Sequence, residues 1–188
     1  MVRIRLAKAK DAEQILAIYA PFVTDMPTTF ETVVPSLVEM QSRISETLEG
    51  LPWLVCAEDH QIAGYAYACP HRSRSAYQWS VDVSVYVAQD FRRRGIGKEL
   101  YRNLFKILAT QGYYNAFAGI SLPNPGSIAL HESLGFQAVG IYRNVGFKLS
   151  AWHNVGWWQQ TLQPHSPEPP QPLRPLPEVL ADQEFLLE

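Results

Sequence analysis

Apolar and polar positions alternate most strictly along Val81-Asp-Val-Ser-Val-Tyr-Val87. Val81, Val83, Val85 and Val87 fall on one face of a strand, and Asp82, Ser84 and Tyr86 fall on the other. One face packs, which leaves the other for chemistry. Directly downstream the period changes, with Leu100, Leu104 and Leu108 recurring at helical spacing. Between the two patterns lies Arg92-Arg-Arg-Gly-Ile-Gly-Lys98. A strand that passes through two glycines into a helix's first turn presents free backbone N–H groups. With the helix dipole behind them and no Cβ in the way, such groups can cradle a pyrophosphate.

The other elements follow from the same reading. Residues 2–6 alternate with Arg3 and Arg5 and predict a first strand. Asp11 with Gln14 predicts a capped helix carrying Ile15, Leu16 and Tyr19 and stopping before Pro21. Residues 22–35, with Pro27 and three nearby threonines, read as a loop, and a loop this long inside a domain is commonly functional. Ser36 with Glu39 makes a capping box for a second helix through Leu48, ended by Gly50.

Residues 53–58 and 62–69 read as a hairpin around Asp59-His60-Gln61, and the polar run His71-Arg-Ser-Arg-Ser75 feeds a central strand predicted over 77–87. A helix over 96–111 ends at Gly112, a strand over 115–122 is broken by Pro123-Asn-Pro-Gly126, and a helix over 127–134 ends at Gly135. Residues 136–142 and 155–162 predict a closing antiparallel pair near Trp152, Trp157 and Trp158. The order β-α-α-β-β-β-α-β-α-β-β points to a mixed α+β layer structure and away from a doubly wound sheet.

Composition narrows the classes. The 188 residues suit one core, and 47% apolar with 18% charged residues excludes a mostly disordered chain. A net charge of −2 gives no electrostatic case for nucleic acid or an anionic membrane as partner. No apolar run approaches membrane-spanning length, and Arg3, Arg5, Lys8 and Lys10 interrupt any signal-like segment, so a cytoplasmic protein is expected. Cys56 and Cys69 belong to no Cys-x-x-Cys pair and read as buried thiols. No histidine and carboxylate cluster has metal-ligand spacing, so no metal is expected. His60, His71 and His165 fall in turns or the tail and receive no role. After Leu162, seven prolines from Pro164 to Pro177 disfavour helix and ladder and predict an extended surface appendage. The expected organisation is a domain over 1–162 and a proline-rich tail over 163–188.

The element order, Arg92-x-x-Gly95-x-Gly97 and the block Asn124-x-x-Ser127-x-x-Leu130-His131-Glu132-Ser133-Leu134-Gly135-Phe136 together resemble the GNAT superfamily of acetyl-CoA-dependent N-acetyltransferases. Thr29-Phe30-Glu31, Tyr77-x-Trp79-Ser-x-Asp82-x-Ser-Val-Tyr-Val87, the His131 block, Gly146-Phe-Lys148 and Trp152-His153-x-Val155-Gly156 are similar to its phosphinothricin and methionine sulfoximine acetyltransferases. The likeness runs from about Arg3 to Leu162. Four blocks in the right order are far more specific than one Gly-x-Gly.

The resemblance implies a splayed, mostly antiparallel sheet flanked by helices, acetyl-CoA as donor, a small amino-acid-like amine as acceptor, direct attack, and a homodimer; the alternatives are a protein, peptide or polyamine N-acetyltransferase and a non-catalytic CoA-binding regulator, which could dispense with Asp82 and His131. It places pantetheine along Val85, Tyr86 and Val87, and the pyrophosphate on Arg93, Arg94, Gly95, Ile96, Gly97 and Lys98, with Asn124 and Ser133 also touching the cofactor. The arginine run alone would read as a solvated charged stretch, but the glycines that follow favour phosphate. Asp82 stands where the family carries a glutamate and can take a proton from a substrate ammonium, the structural alternative being a pair with a nearby arginine. His131 stands where many members have tyrosine and would protonate the leaving thiolate. Arg72, Arg74, Phe30 and Glu31 are the acceptor-binding candidates; an exposed polar hairpin is the alternative for the two arginines. No cysteine lies on the polar face of the central strand, which disfavours a covalent acyl-enzyme.

Overall fold

In the computed structural model, which describes residues 3–181, seven strands form a single sheet. They are β1 (Arg3–Leu6), β2 (Trp53–Glu58), β3 (Gln61–Pro70), β4 (Ser80–Val87), β5 (Asn115–Leu122), β6 (Gln137–Lys148) and β7 (Ala151–Thr161). Their spatial order is β1-β2-β3-β4-β5-β7-β6. The helices are α1 (Ala12–Thr24), α2 (Leu37–Leu48), α3 (Ile96–Gln111), α4 (Pro125–Glu132) and α5 (Leu176–Ala181). Every neighbouring pair is antiparallel except β4 and β5. That exception follows from α3, because parallel neighbours need a crossover connection.

Each face of the sheet has its own core. On one side Val81 and Val83 pack with Leu100, Leu104 and Leu108 of α3, all buried as their spacing predicts. Full burial of each leucine contributes roughly 1.5–3 kcal/mol. On the other, Ile15 of α1 and Ile44 of α2 cover Trp53, Val55 and Tyr65. Ser36 caps α2 as expected, its Oγ accepting from the Glu39 N–H at 3.2 Å.

β4 and β5 separate partway. Their pairing covers Ser80↔Asn115, Val81↔Ala116 and Asp82↔Phe117, whereas β4 stays paired with β3 through Val87 and β5 with β7 through Leu122. A wedge therefore opens between β4 and β5 above Asp82 and Phe117.

Several details differ from the sequence reading. Asp11 does not cap α1 through its side chain; its carboxylate instead accepts from Arg5 at 2.6 and 2.9 Å and from the Lys8 N–H. Gln14 reaches across to the Ile62 N–H. Pro21 lies inside α1, which runs one turn further to Thr24. Tyr77 belongs to a short 3-10 turn (Ser75–Tyr77) ahead of β4, so the central strand is shorter than predicted. The last hairpin is longer, turning tightly at Leu149 and Ser150, both with positive φ. Cys56 is buried but Cys69 is exposed at the end of β3.

The proline-rich segment packs on the body. The Trp79 Nε1–H donates to the Gln171 carbonyl, Arg174 N–H donates to the Gln111 carbonyl, and the Gln111 amide returns a bond to the Arg174 carbonyl. Pro177 falls in the first turn of α5, where a missing N–H costs nothing, so helix forms despite the prolines. Leu176 and Val179 of α5 are buried in the α3 core. The predicted positions Met1 and Val2 and tail residues 182–188 lie outside the described residues.

Candidate active site

The wedge exposes backbone. The Ala88 N–H donates to Ala63 of β3 and the Ser80 carbonyl accepts from His71, so the even-numbered residues of β4 face β3. In an antiparallel pair N–H and C=O of one residue point the same way. The polar groups of Val83, Val85 and Val87 therefore face the gap, while Tyr86 bonds β3. The Tyr86 ring lies on the opposite face, against Tyr19, Phe22 and Tyr65.

Where β4 ends, the chain makes a concave turn. Arg93 has φ 61° and Gly95 φ 81°, and the first backbone donors after Arg92 to find an acceptor are Lys98 and Glu99, both bonded to the Gly95 carbonyl. The N–H groups of Arg93 through Gly97 find no acceptor among the described residues, the condition for an anion site at a helix start. A Cβ at Gly95 would meet open space. At Gly97 it would come to 3.1 Å of Leu130, so this glycine also lets α3 and α4 approach. Arg94 pairs with Glu58 at 2.8 Å, and Arg92 reaches the Val87 carbonyl and lies over the Phe22 ring. These unpaired amides and the bare wedge fit the diphosphate and amide-bearing arm of acetyl-CoA.

The wedge floor is lined by Val83, Ser84, Ser121, Asn124, Tyr101 and His131. Asn124 caps α4 through Oδ1 on the Ser127 N–H, 3.1 Å, leaving its amide nitrogen unspent. Ser133, at the far end of α4, is exposed and returns its hydroxyl to the Leu130 carbonyl, so it is not brought to the wedge. His131 is buried. Its Nδ1–H donates to the Ser127 carbonyl at 2.7 Å, which makes Nε2 the acceptor for the Tyr101 hydroxyl at 3.1 Å. Burial lowers its pKa, opposed by the Ser127 bond, so the ring is neutral at pH 7.

Opposite the donor channel lies a cavity of about 300 Å³ lined by Thr28, Phe30, Gly119, Ser121, Tyr142, Val145, Val155 and Trp157. It shares Thr28, Gly119 and Ser121 with the wedge. Two polar atoms here are buried without a partner, Ser121 Oγ and Trp157 Nε1. Phe30 packs over Gly146, where no Cβ would fit. Glu31 does not face this cavity's lining; it pairs with Arg43 of α2 at 2.7 Å. Arg72 lies over the Trp157 ring, 5.7 Å to its centroid, and Arg74 is exposed on the same loop.

Asp82 forms no ion pair with an arginine, the structural alternative named from sequence; its partner is a histidine. His71 Nδ1 lies 2.6 Å from its Oδ1. Burial raises the Asp82 carboxyl above the usual range, while the His71 bond and the charges of His71 and Arg72 pull it back. His71, Thr28, Ser121, Trp157, Tyr101 and Lys148 are the site residues that the sequence reading passed over. Lys148 is buried and donates to the carbonyls of Phe22, Met26 and Thr29 at 3.1, 2.8 and 2.7 Å, tying the α1–α2 loop to β6. Its only visible signal was a lysine inside a recognised block.

The profile of the acetyltransferase (GNAT) domain family matches residues 4–157. A phosphinothricin N-acetyltransferase of Streptomyces viridochromogenes is 36% identical over 178 residues, 95% of this chain and 96% of that protein. An L-methionine sulfoximine/L-methionine sulfone acetyltransferase of Pseudomonas aeruginosa is 31% identical, covering 86% of this chain and 95% of its own length. The crystal structure of a phosphinothricin acetyltransferase from Sinorhizobium meliloti in complex with AcCoA superimposes with a TM-score of 0.86 at 34% identity, over 90% of this chain and 93% of that one. With its sheet parted between β4 and β5 and unpaired amides opening α3, this chain belongs to the GNAT acetyltransferase family and uses acetyl-CoA.

Proposed function

We propose that the protein acetylates the α-amine of a small amino-acid-like acceptor of the phosphinothricin, methionine sulfoximine or methionine sulfone type. The observation that carries this reading is the cavity beside the wedge: apolar walls, two buried donors without partners at Ser121 and Trp157, Arg72 and Arg74 on the adjoining loop, and the Asp82 carboxylate nearby. Unpartnered buried donors suit a carboxylate, and an anionic pair suits an ammonium. The cavity's volume favours a small acceptor over a folded peptide segment.

Acetyl-CoA supplies the acetyl group as a thioester. The amides of Val85 and Val87 hold its arm, those of Arg93 through Gly97 its diphosphate, with Lys98 and the exposed arginines adding charge, and Asn124 offering its amide. A gap-facing β4 N–H would stabilise the negative charge that develops on an acetyl carbonyl held there. Asp82 supplies the negative charge that draws the ammonium in. Tyr101 is the hydroxyl on the wedge floor, and because its one proton is given to Nε2 of the neutral His131, neither group donates directly to the departing sulfur in this arrangement.

The same reading includes a homodimer working in the cytoplasm. Its support is β6, the last strand of the sheet, which with its hairpin partner exposes Val139, Ile141, Phe147 and Trp152, the last at 62%. An apolar edge of this kind is normally covered. Tyr142 and Val145 on β6 also line the acceptor cavity, so a second copy there would complete its wall. Sedimentation should give twice the chain mass, and Trp152→Asp should give monomers.

The test of function is thiol release from acetyl-CoA across phosphinothricin, methionine sulfoximine, methionine sulfone, polyamines and peptides. Turnover concentrated in the first three is expected. Selective turnover of polyamines or peptides would overturn the acceptor class.

A further inference from the structure

Resting on that acetyl-transfer reading, we propose that the proton of the acceptor's ammonium is taken by the Nε2 atom of His71, with Asp82 orienting the ring. The ring stands at the apex of the wedge, fixed to both residues of the last β4–β5 pair. Nδ1 is bonded to Asp82 at 2.6 Å, and the imidazole stacks on Phe117 with centroids 4.3 Å apart. Tyr77 and Trp157 meet it edge-on at 5.9 and 6.1 Å, and Trp157 is a wall of the acceptor cavity. Four contacts thus define one orientation.

That orientation fixes the tautomer. A carboxylate only accepts, so Nδ1 carries the proton and Nε2 carries the lone pair. Nε2 has no hydrogen-bond partner among the described residues and is not among the buried unpartnered atoms, so solvent reaches it. A carboxylate beside an imidazole in this arrangement holds the ring and stabilises the imidazolium when it forms. An imidazole is also better matched than a carboxylate to removing a proton near neutral pH. Asp82 is one methylene shorter than the glutamate that the resemblance leads one to expect there, and His71 extends the reach of that carboxylate.

The step balances. The ammonium gives one proton to Nε2, and the freed amine attacks the acetyl carbonyl carbon. The C–N bond forms, the C–S bond breaks, and the nitrogen's second proton leaves with the sulfur as free thiol. The imidazolium then returns its proton to water, so the net products are amide, thiol and one proton. Other titratable groups around the ring are Asp82 on β4, Arg72 on its own loop, Tyr77 on the 3-10 turn and Cys69 opposite Asp82 on β3. Although Cys69 is exposed as a residue, desolvation and then the Asp82 charge push its thiol up to about 11, so it stays neutral. Phe117 and Trp157, facing from β5 and β7, carry no charge.

The experiment is kcat/KM against pH for the best acceptor, in wild type, His71→Gln and His71→Phe, the last keeping a ring on Phe117. Acetyl-CoA affinity by calorimetry accompanies each. Wild type should show an acidic limb that the two histidine variants lack. His71→Gln should lose about 100-fold at pH 7, keep its acetyl-CoA affinity, and rise with pH up to ionisation of the amine itself. Asp82→Asn should lose a similar factor, and the double variant should be no worse than the weaker single, as for groups acting as a unit. Either histidine variant within about twofold of wild type across the range, or a wild-type profile with no such limb, overturns the assignment to His71 alone. Wild type releasing no thiol with any acceptor overturns the acetyl-transfer reading and this one together.

Discussion

The two halves of the site are made from different material. The donor channel is backbone: the gap-facing groups of Val83, Val85 and Val87 and the amides from Arg93 to Gly97. The acceptor cavity is side chain, assembled from the α1–α2 loop, β5, β6 and β7, with His71 and Asp82 beside it. A backbone site depends on where strands part and a helix begins, and tolerates changes of side chain. A side-chain site depends on several distant residues keeping their rotamers, and a single change can reset its shape or charge.

Four changes break or sharpen this contrast. The largest effect should come from truncation after Leu162, which removes the brace on the C-terminal end of α3 while touching neither half. Loss of the buried Leu176 and Val179 should cost about 3 kcal/mol, lowering the melting temperature by about 10 °C, with turnover per folded molecule little altered. An unchanged melting curve would show that the tail braces nothing.

Next is Lys148→Met on the acceptor side, which leaves the carbonyls of Phe22 at the end of α1 and of Met26 and Thr29 in the loop without their donor. The expected cost is about 2 kcal/mol, read as a roughly 30-fold higher KM for the acceptor with acetyl-CoA affinity intact. If both affinities fell together, the halves would not be separable.

Gly95→Val probes the donor side. The residue has φ 81° with open space around it, so the change strains the turn by about 1–2 kcal/mol without a clash. Weaker acetyl-CoA binding by about tenfold in calorimetry, with the acceptor KM unmoved, is expected. Full affinity would remove this turn from the phosphate site.

The smallest effect is on pH dependence of stability. Burial depresses the His131 pKa in the folded state, so the unfolded chain binds more protons as pH falls below the ordinary value of about 6.5. Its contribution is present above that pH and is lost as pH falls toward the folded value. Denaturation midpoints at pH 7.5 and 5.5 should differ less in His131→Gln than in wild type.

The fold was largely legible. α3 and β5 begin and end at the predicted residues because each has a long period and a glycine or proline stop. At Ser36 the N-cap half of the box formed, with the Glu39 carboxylate taken by Arg43, but the one at Asp11 did not form, since Arg5 and the Lys8 amide compete for that carboxylate. The tail was misjudged because proline counts describe what a chain resists locally, whereas α5 is held by contacts with α3. At the site, motifs single out Gly95, which stands at the turn opening α3, and Asn124, which stands on the wedge floor. Nothing local marks His71, whose partner Asp82 lies eleven residues on, while Ser133 points away and Glu31 is engaged by Arg43.

The sequence by itself determined the strand carrying Asp82, the glycine turn that opens α3 and the order of elements, since these rest on periodicity and on backbone freedom between near neighbours. Only the tertiary structure decided that β4 and β5 part after Asp82, that His71 stacks on Phe117 to reach that carboxylate, and that Lys148 holds a loop about 120 residues earlier in the chain. The reason is range. A hydrogen bond or ring stack between segments far apart in sequence is specified by how whole elements pack, and no local pattern encodes it.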